Sequence, residues 1–217
     1  IKPSDTVTLS LGRQNISYDD PILLGPKNYS RLEENFDALK LRIRYKVINW
    51  VEFFVCSKPT KSQLFRGNVY LAGIFNHMYL GKYMKNFNLY LVTRFSSLRN
   101  TKPIIALGFK ASSRISNFDY RIASIIQYEQ GKISSEYNIE LGYILTLLIT
   151  EPRVSLIFAG STEKYKKLYP NMNKWLGYIN TYSRKNVKST SIQINSKIIS
   201  WFRAKIDLTY LKRNFKP

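Results

Sequence analysis

The spacing of apolar residues changes along this chain, and each change predicts a different element. After residue 30, apolar residues recur at three- and four-residue intervals: Leu32, Phe36, Leu39 and Ile43. This interval is the period of one face of an α-helix. Ser30 and Glu33 form a capping box just ahead, in which each side chain satisfies a free backbone N–H. The stretch therefore predicts an amphipathic helix that begins near residue 30.

Three later stretches have the composition of strands. Residues 88–95, 103–109 and 120–128 are rich in β-branched and aromatic residues, and they predict three strands. Gly131 predicts a turn after the third stretch. Residues 50–56 are apolar and aromatic, and their pattern allows either a helix or a buried strand.

The segment from residue 139 to residue 168 predicts a helix followed by a strand–turn–helix unit. Residues 139–150 are mostly apolar and stop before Pro152, as a buried helix does. Residues 153–159 form a continuous apolar run of strand length, typical of a central parallel strand that is covered on both faces. Gly160 opens a turn into residues 163–168, which have a helix-like pattern.

Together these elements predict an α/β fold with a parallel sheet, of the Rossmann or flavodoxin-like type, as a partial domain with an N-terminal extension. Residues 1–29 carry several Pro and Gly residues and predict an extended arm that lies on a protein neighbour. Residues 30–185 are expected to form the α/β RNA-binding domain, and residues 186–217 a basic, helical C-terminal segment.

Charge adds a partner class to this picture. The net charge is +20, and no acidic residue occurs between residues 53 and 118. Such an excess of cations predicts a polyanionic partner, above all nucleic acid. A basic patch on an anionic lipid surface is the alternative that charge alone leaves open. The longest apolar run, residues 139–149, is too short for a membrane-spanning helix, so no membrane partner is expected.

Few residues are suited to catalysis or to metal binding. His77 is the one histidine and Cys56 the one cysteine, so the usual metal-ligand spacings cannot be assembled. Both lie among apolar neighbours, where a buried structural role is expected for each. The sequence therefore predicts no enzyme activity, no cofactor and no metal.

A family resemblance lies in the last third of the chain. Residues 156–161 (Leu-Ile-Phe-Ala-Gly-Ser) are followed by Asn-Lys-Trp-Leu-Gly-Tyr-Ile-Asn-Thr at residues 173–181. This pair of segments resembles the S-two family of ribosomal proteins, in which a strand leads through a helix to a Trp-Leu-Gly segment. The resemblance implies a non-catalytic protein of the small ribosomal subunit that binds ribosomal RNA and neighbouring ribosomal proteins. It breaks off before the family's sheet is complete, which implies that the sheet is either completed by a second chain or lost.

The same hypothesis covers location, candidate residues and stability. Residues with A/T-rich codons are abundant, which predicts an A/T-rich genome and a mitochondrial ribosome. We also expect the isolated chain to be unstable at physiological salt. Trp175 either stacks on a base or anchors its turn in the core. The predicted RNA-binding residues are Lys82, Lys85, Arg94, Arg99, Lys102, Lys164, Lys166, Lys167, Lys174, Trp175, Arg184, Lys185 and Lys188.

Two other classes compete with the ribosomal hypothesis. One is a degenerate homing endonuclease or intron maturase, and the other is a different basic nucleic-acid-binding protein, such as a viral or plasmid nucleoprotein. The endonuclease alternative requires a pair of acidic residues at the ends of two helices, and the sequence offers no such pair.

Overall fold

The structure, a computed structural model, describes residues 6–16, 35–59, 68–96, 102–146, 150–165, 186–199 and 201–213. These residues contain eleven β-strands and no helix. The strands are β1 (Val7–Asn15), β2 (Asn35–Lys46), β3 (Asn49–Pro59), β4 (Asn68–Met78), β5 (Asn86–Ser96), β6 (Ile104–Ile115), β7 (Phe118–Glu129), β8 (Lys132–Ile144), β9 (Arg153–Ser161), β10 (Val187–Ile199) and β11 (Phe202–Arg213). The predicted α/β fold with a parallel sheet is therefore wrong.

All the strands belong to one 11-stranded sheet, in which the spatial order is the order along the chain. Every pair of neighbours is antiparallel. The β7–β8 hairpin shows the local cause: Gln130 and Gly131 both have positive φ, 51° and 73°. Two such residues form the tight turn whose twist matches that of antiparallel strands. The turn predicted at Gly131 is confirmed.

Some predicted strands are confirmed. Residues 88–95 and 120–128 lie in β5 and β7, and residues 104–109 of the predicted stretch 103–109 lie in β6. Residues 50–56, for which the pattern allowed two interpretations, lie in β3. Residues 153–159 lie in β9, but both neighbours of β9 run antiparallel to it, so the predicted parallel strand is wrong.

The predicted helices within the described residues are wrong for a common reason. In β2, Phe36 and Leu39 point to opposite faces of a strand, although their spacing also fits one helical face. In β8, Ile139 and Leu141 alternate with buried Asn138 and Glu140, which is a period of two. Residues 186–217, expected to be helical, contain β10 and β11, and residues 7–15 of the expected arm form β1. Residues 163–165 are in a turn, and 166–168 lie outside the described residues.

The two faces of the sheet differ in burial, and we name them accordingly. The outer face carries exposed apolar side chains, such as Leu9 at 66% and Leu11 at 82% relative accessibility. The inner face carries side chains that are buried although many are polar, such as Gln127 at 1% and Asn138 at 2%. The exposed apolar outer face departs from a water-soluble sheet, in which the solvent-facing side is polar.

Apolar packing on the inner face is concentrated in β2–β7. Its buried cluster includes Phe54, Leu71, Phe75, Tyr90, Val92, Ile104, Ala106 and Ile125. Glycine permits this density: a Cβ built on Gly108 would lie 2.2 Å from the Tyr90 ring. Cys56 is buried within the same cluster, and its predicted burial is confirmed.

The hairpins define two ends of the sheet. We call the end with the 116–117 turn the lower end, where β2–β3, β4–β5, β8–β9 and β10–β11 also connect. The opposite end, with the 130–131 turn, is the upper end.

Within the described residues, β1 and β11 each pair on one side only. No helix among those residues is long and apolar enough to cross a membrane.

Candidate functional site

The outer face is a continuous apolar surface that extends from β1 to β11. Cross-strand neighbours on it include the pairs Leu107–Ile126, Leu141–Leu156 and Ile192–Leu208. Each of these side chains is at least 36% accessible. A monomeric soluble protein rarely exposes an apolar patch of more than a few hundred Å². This surface therefore requires a partner that is itself apolar.

Aromatic side chains are concentrated near both ends of this outer surface. Near the lower end these are Tyr45, Tyr79, Tyr83, Phe118, Tyr143, Trp201 and Phe202. Near the upper end they are Tyr70, Phe95, Tyr128, Tyr137 and Tyr210. Between the two groups the exposed residues are mostly Leu, Ile and Val, with some Phe. Two aromatic girdles that flank an aliphatic band are typical of sheets that cross a bilayer.

The inner face of β7–β10 is polar and buried. Its buried members include Gln127, Ser134, Glu136, Asn138, Glu140, Ser155, Ser189 and Ser191. Among the described residues, neither amide atom of Asn138 has a hydrogen-bond partner, and the hydroxyls of Ser155 and Ser161 have none. A buried polar group without a partner costs about 1–3 kcal/mol. The described residues therefore provide no hydrogen bond for these polar atoms, which is uncommon in a packed protein interior.

Arg153 connects three strands near the lower end of the inner face. Its Nε donates to Asp119 on β7 at 2.8 Å, and its Nη2 donates to Glu140 on β8 at 2.8 Å. Arg121 lies 3.6 Å from the same Glu140 carboxylate. Gly142 leaves the space for this guanidinium, since a Cβ there would lie 2.4 Å from Nη2. The two arginines and two carboxylates form a group without net charge.

A second polar group lies on the inner face of β2–β5. Arg42 Nη2 is 2.7 Å from Glu52 Oε2, and the guanidinium lies 4.2 Å from the centre of the Trp50 ring. His77 stacks on Trp50 and its Nδ1 is 2.7 Å from Asn88 Oδ1. These contacts support the structural role that was predicted for His77. No group of three or more potential metal ligands occurs in the described part of the chain.

The structure does not gather the predicted RNA-binding residues on one surface. Lys82 and Lys85 lie exposed at the lower end, whereas Lys102 and Lys164 lie exposed near the upper end. Arg94 is half-buried on the inner face, and Lys188 is exposed on the outer face of β10. The remaining predicted residues lie outside the described ranges: Arg99, Lys166, Lys167, Lys174, Trp175, Arg184 and Lys185.

The sequence analysis missed the residues that organise the inner face, among them Asp119, Asn138, Glu140 and Arg153. Their signal was an alternation of apolar and polar residues with a period of two, which is clearest in residues 132–144. A strand signal of this kind is much weaker for each segment than the signal of a membrane-spanning helix.

Comparison with known proteins gives a fold but no family. No protein-family model matches the chain, and no curated protein matches it. Among solved structures, it is similar to OccK11 (OpdR) of Pseudomonas aeruginosa, a β-barrel of the porin type, with 10% identity and a TM-score of 0.59. The match covers 88% of this chain and 56% of the OccK11 chain, so the chain spans little more than half of its neighbour.

These findings correct the functional prediction. An antiparallel, porin-like sheet is not the fold that the S-two resemblance implies, and the segment that carried the resemblance, residues 173–181, lies outside the described residues. The prediction of a ribosomal-RNA-binding component of the small ribosomal subunit is wrong. The predicted absence of enzyme activity and the predicted mitochondrial location are not tested and stay predictions.

Proposed function

We propose that this chain is a channel-type membrane protein, whose outer face contacts lipid and whose inner face lines a water-filled path. One observation carries the proposal: exposed apolar residues on the outer face alternate with buried polar residues on the inner face. Strands of outer-membrane channels alternate in this sense. The proposal departs from the sequence-based expectation of no membrane partner.

The strand lengths support this proposal. A tilted strand needs about 9–11 residues to cross the hydrocarbon core of a bilayer. The inner strands of the sheet meet that requirement, since β6 and β7 have 12 residues each and β8 has 13. The aromatic groups near the two ends are then placed at the two interfaces between lipid and water, where Tyr and Trp are enriched.

The edges of the sheet also bear on the proposal. A strand inside a bilayer must satisfy its backbone N–H and C=O groups within protein, because lipid offers no hydrogen bonds. The free edges of β1 and β11 must therefore be paired in the membrane. We propose that further strands complete the sheet. The likeness to the porin-type β-barrel of OccK11 supports closure of this kind.

A pair of matched substitutions tests the membrane placement. Leu91 lies at the centre of β5 and Ile133 near the upper end of β8, and both are exposed on the outer face. In a bilayer, Arg costs about 2–4 kcal/mol at the midplane and about 0–1 kcal/mol near an interface. Leu91→Arg should therefore lower the stability of the chain refolded in phospholipid vesicles much more than Ile133→Arg.

The measurement is urea unfolding of vesicle-bound protein, with flotation of the vesicles as the check on insertion. In a water-soluble protein both positions face solvent, and both substitutions should be nearly neutral. Equal and small effects, or a chain that stays in the aqueous phase without vesicles as a folded monomer, would contradict the proposed function.

A further inference from the structure

Four cationic side chains lie at the lower end on inner-face positions of their strands. They are Arg44 on β2, Arg114 on β6, Lys197 on β10 and Arg203 on β11. All four are exposed, and none forms an ion pair with another described residue. Their strand positions follow from the register, in which Arg44 pairs with Trp50, Arg114 with Asp119, and Lys197 with Arg203.

Acidic residues do not offset these cations at the lower end. Asp119 is engaged by Arg153, and Glu151 is the exposed acid in the β8–β9 connection. The undescribed residues of the lower-end connections, 147–149 and 200, carry no charged side chain in the sequence. The lower end of the inner face therefore carries a net positive charge.

The next layer of the inner face contains paired charges. Beyond these four cations, Arg121 and Arg153 face Asp119 and Glu140, and Arg42 faces Glu52. Unpaired cations at the entrance followed by paired charges would attract an anion without holding it tightly. A conducting pathway needs both properties, since an ion must enter and also leave.

From this arrangement we infer that the lower end is an entrance that selects small anions, an inference that rests on the proposed function. Rings of Arg and Lys are the charge pattern of anion-conducting pores. A cleft lined by one sign of charge also raises the local concentration of its counter-ion. The inner-face placement favours dissolved anions over anionic lipid headgroups, because headgroups would meet the outer rim.

The test uses the full chain, inserted into planar bilayers, with chloride as the probe anion and potassium as the probe cation. The reversal potential across a KCl gradient gives the chloride-to-potassium permeability ratio, which should exceed one. The ratio should fall toward or below one when Arg44, Arg114, Lys197 and Arg203 are all replaced by Gln. It should also be larger at about 0.1 M than at about 1 M salt, where the screening length shrinks from about 10 Å to about 3 Å.

A control with the same loss of charge isolates the lower end. Lys132, Lys164, Lys188 and Lys212 are exposed near the upper end. Their joint replacement by Gln should change the permeability ratio much less. Equal shifts of the permeability ratio in the two variants would overturn the inference and leave the membrane placement intact. A conducting unmodified chain without anion preference would do the same.

Three further outcomes separate this inference from the proposal beneath it. Loss of binding to anionic vesicles by the four-Gln lower-end variant, with an unchanged permeability ratio, would overturn the inference alone. Insertion of the unmodified chain without conduction would overturn the inference and the water-filled path, and would leave the membrane placement intact. Failure of the unmodified chain to float with vesicles would overturn the proposed function and the inference together.

Discussion

The inner face of β2–β6 and the inner face of β7–β10 share one sheet but differ in what fills them. The first region packs Phe54, Leu71, Phe75 and Tyr90 into a buried cluster. The second buries Gln127 and other polar side chains, and several of its polar atoms have no protein partner within the described residues. The outer face is apolar along both regions, so the difference concerns the inside alone. Under the proposed function, the first region would hold the sheet in shape. The half-buried polar side chains of the second region, such as Arg121 and Arg153, would border the aqueous path.

The largest effect that would test this division is expected from Leu71→Ala in the first region. Leu71 is 1% accessible, and truncation of a buried Leu to Ala costs about 2–5 kcal/mol. We expect this loss of stability in urea unfolding of the vesicle-inserted protein, with conductance per channel unchanged. A nearly neutral Leu71→Ala would show that the cluster does not stabilise the sheet.

Arg153→Leu should be the next most damaging change. Removal of one partner from a buried ion pair costs about 3–5 kcal/mol, and the 25% accessibility of the Arg153 side chain places the effect at or below the low end of that range. The same unfolding measurement applies. Asp119→Asn in the Arg153→Leu background removes the carboxylate that is left unpaired, while Glu140 keeps its contact with Arg121, and this change should restore part of the stability. No recovery would contradict the ion-pair explanation.

Gly108→Ala, in the first region, should lower stability by an intermediate amount. The added methyl group would meet the Tyr90 ring, and overpacking of this kind costs about 1–3 kcal/mol. Tyr90→Phe in the same background leaves the ring in place and should not rescue it, whereas Tyr90→Leu should. Equal behaviour of the two double variants would show that ring contact is not the cause.

The smallest effect on stability is expected from Ser155→Ala in the second region. Ser155 is 1% accessible, and its hydroxyl has no partner among the described residues. Its removal therefore loses no hydrogen bond within that part of the protein, and the stability change should be about 0.5 kcal/mol or less, as for substitutions outside the destabilising classes. Single-channel conductance should stay unchanged, because a side chain that is 1% accessible does not contact the path. A large loss of stability would show that the Ser155 hydroxyl contributes to the packing of the second region.

The sequence allowed about half of this fold to be predicted, and the physical reason differs between elements. β5, β6 and β7 were predicted because β-branched and aromatic residues are frequent in them. β2 was predicted as a helix because Phe36, Leu39 and Ile43 fit a helical period, and the apolar residues on both of its faces hid the alternation. β8 was missed because its apolar run was taken for a helix, although the run alternates with buried Asn138 and Glu140.

The candidate site was less predictable than the fold. The anionic partner class indicated by net charge stays a prediction, and composition cannot say on which face of a strand a cation lies. A shift of one residue moves a side chain to the opposite face. The pairing of Arg153 with Asp119 and Glu140 joins residues that are far apart in sequence, and no local pattern indicates it.

The agreement between strand order and chain order has a consequence for folding. Each strand pairs with the strand that precedes it, so no step requires the chain to bring distant segments together before a hairpin forms. Topologies dominated by near-neighbour pairing lose less entropy before contacts form and fold faster than topologies with long-range crossings. The sheet can therefore grow by the addition of one hairpin at a time, and each new edge serves as the template for the next strand.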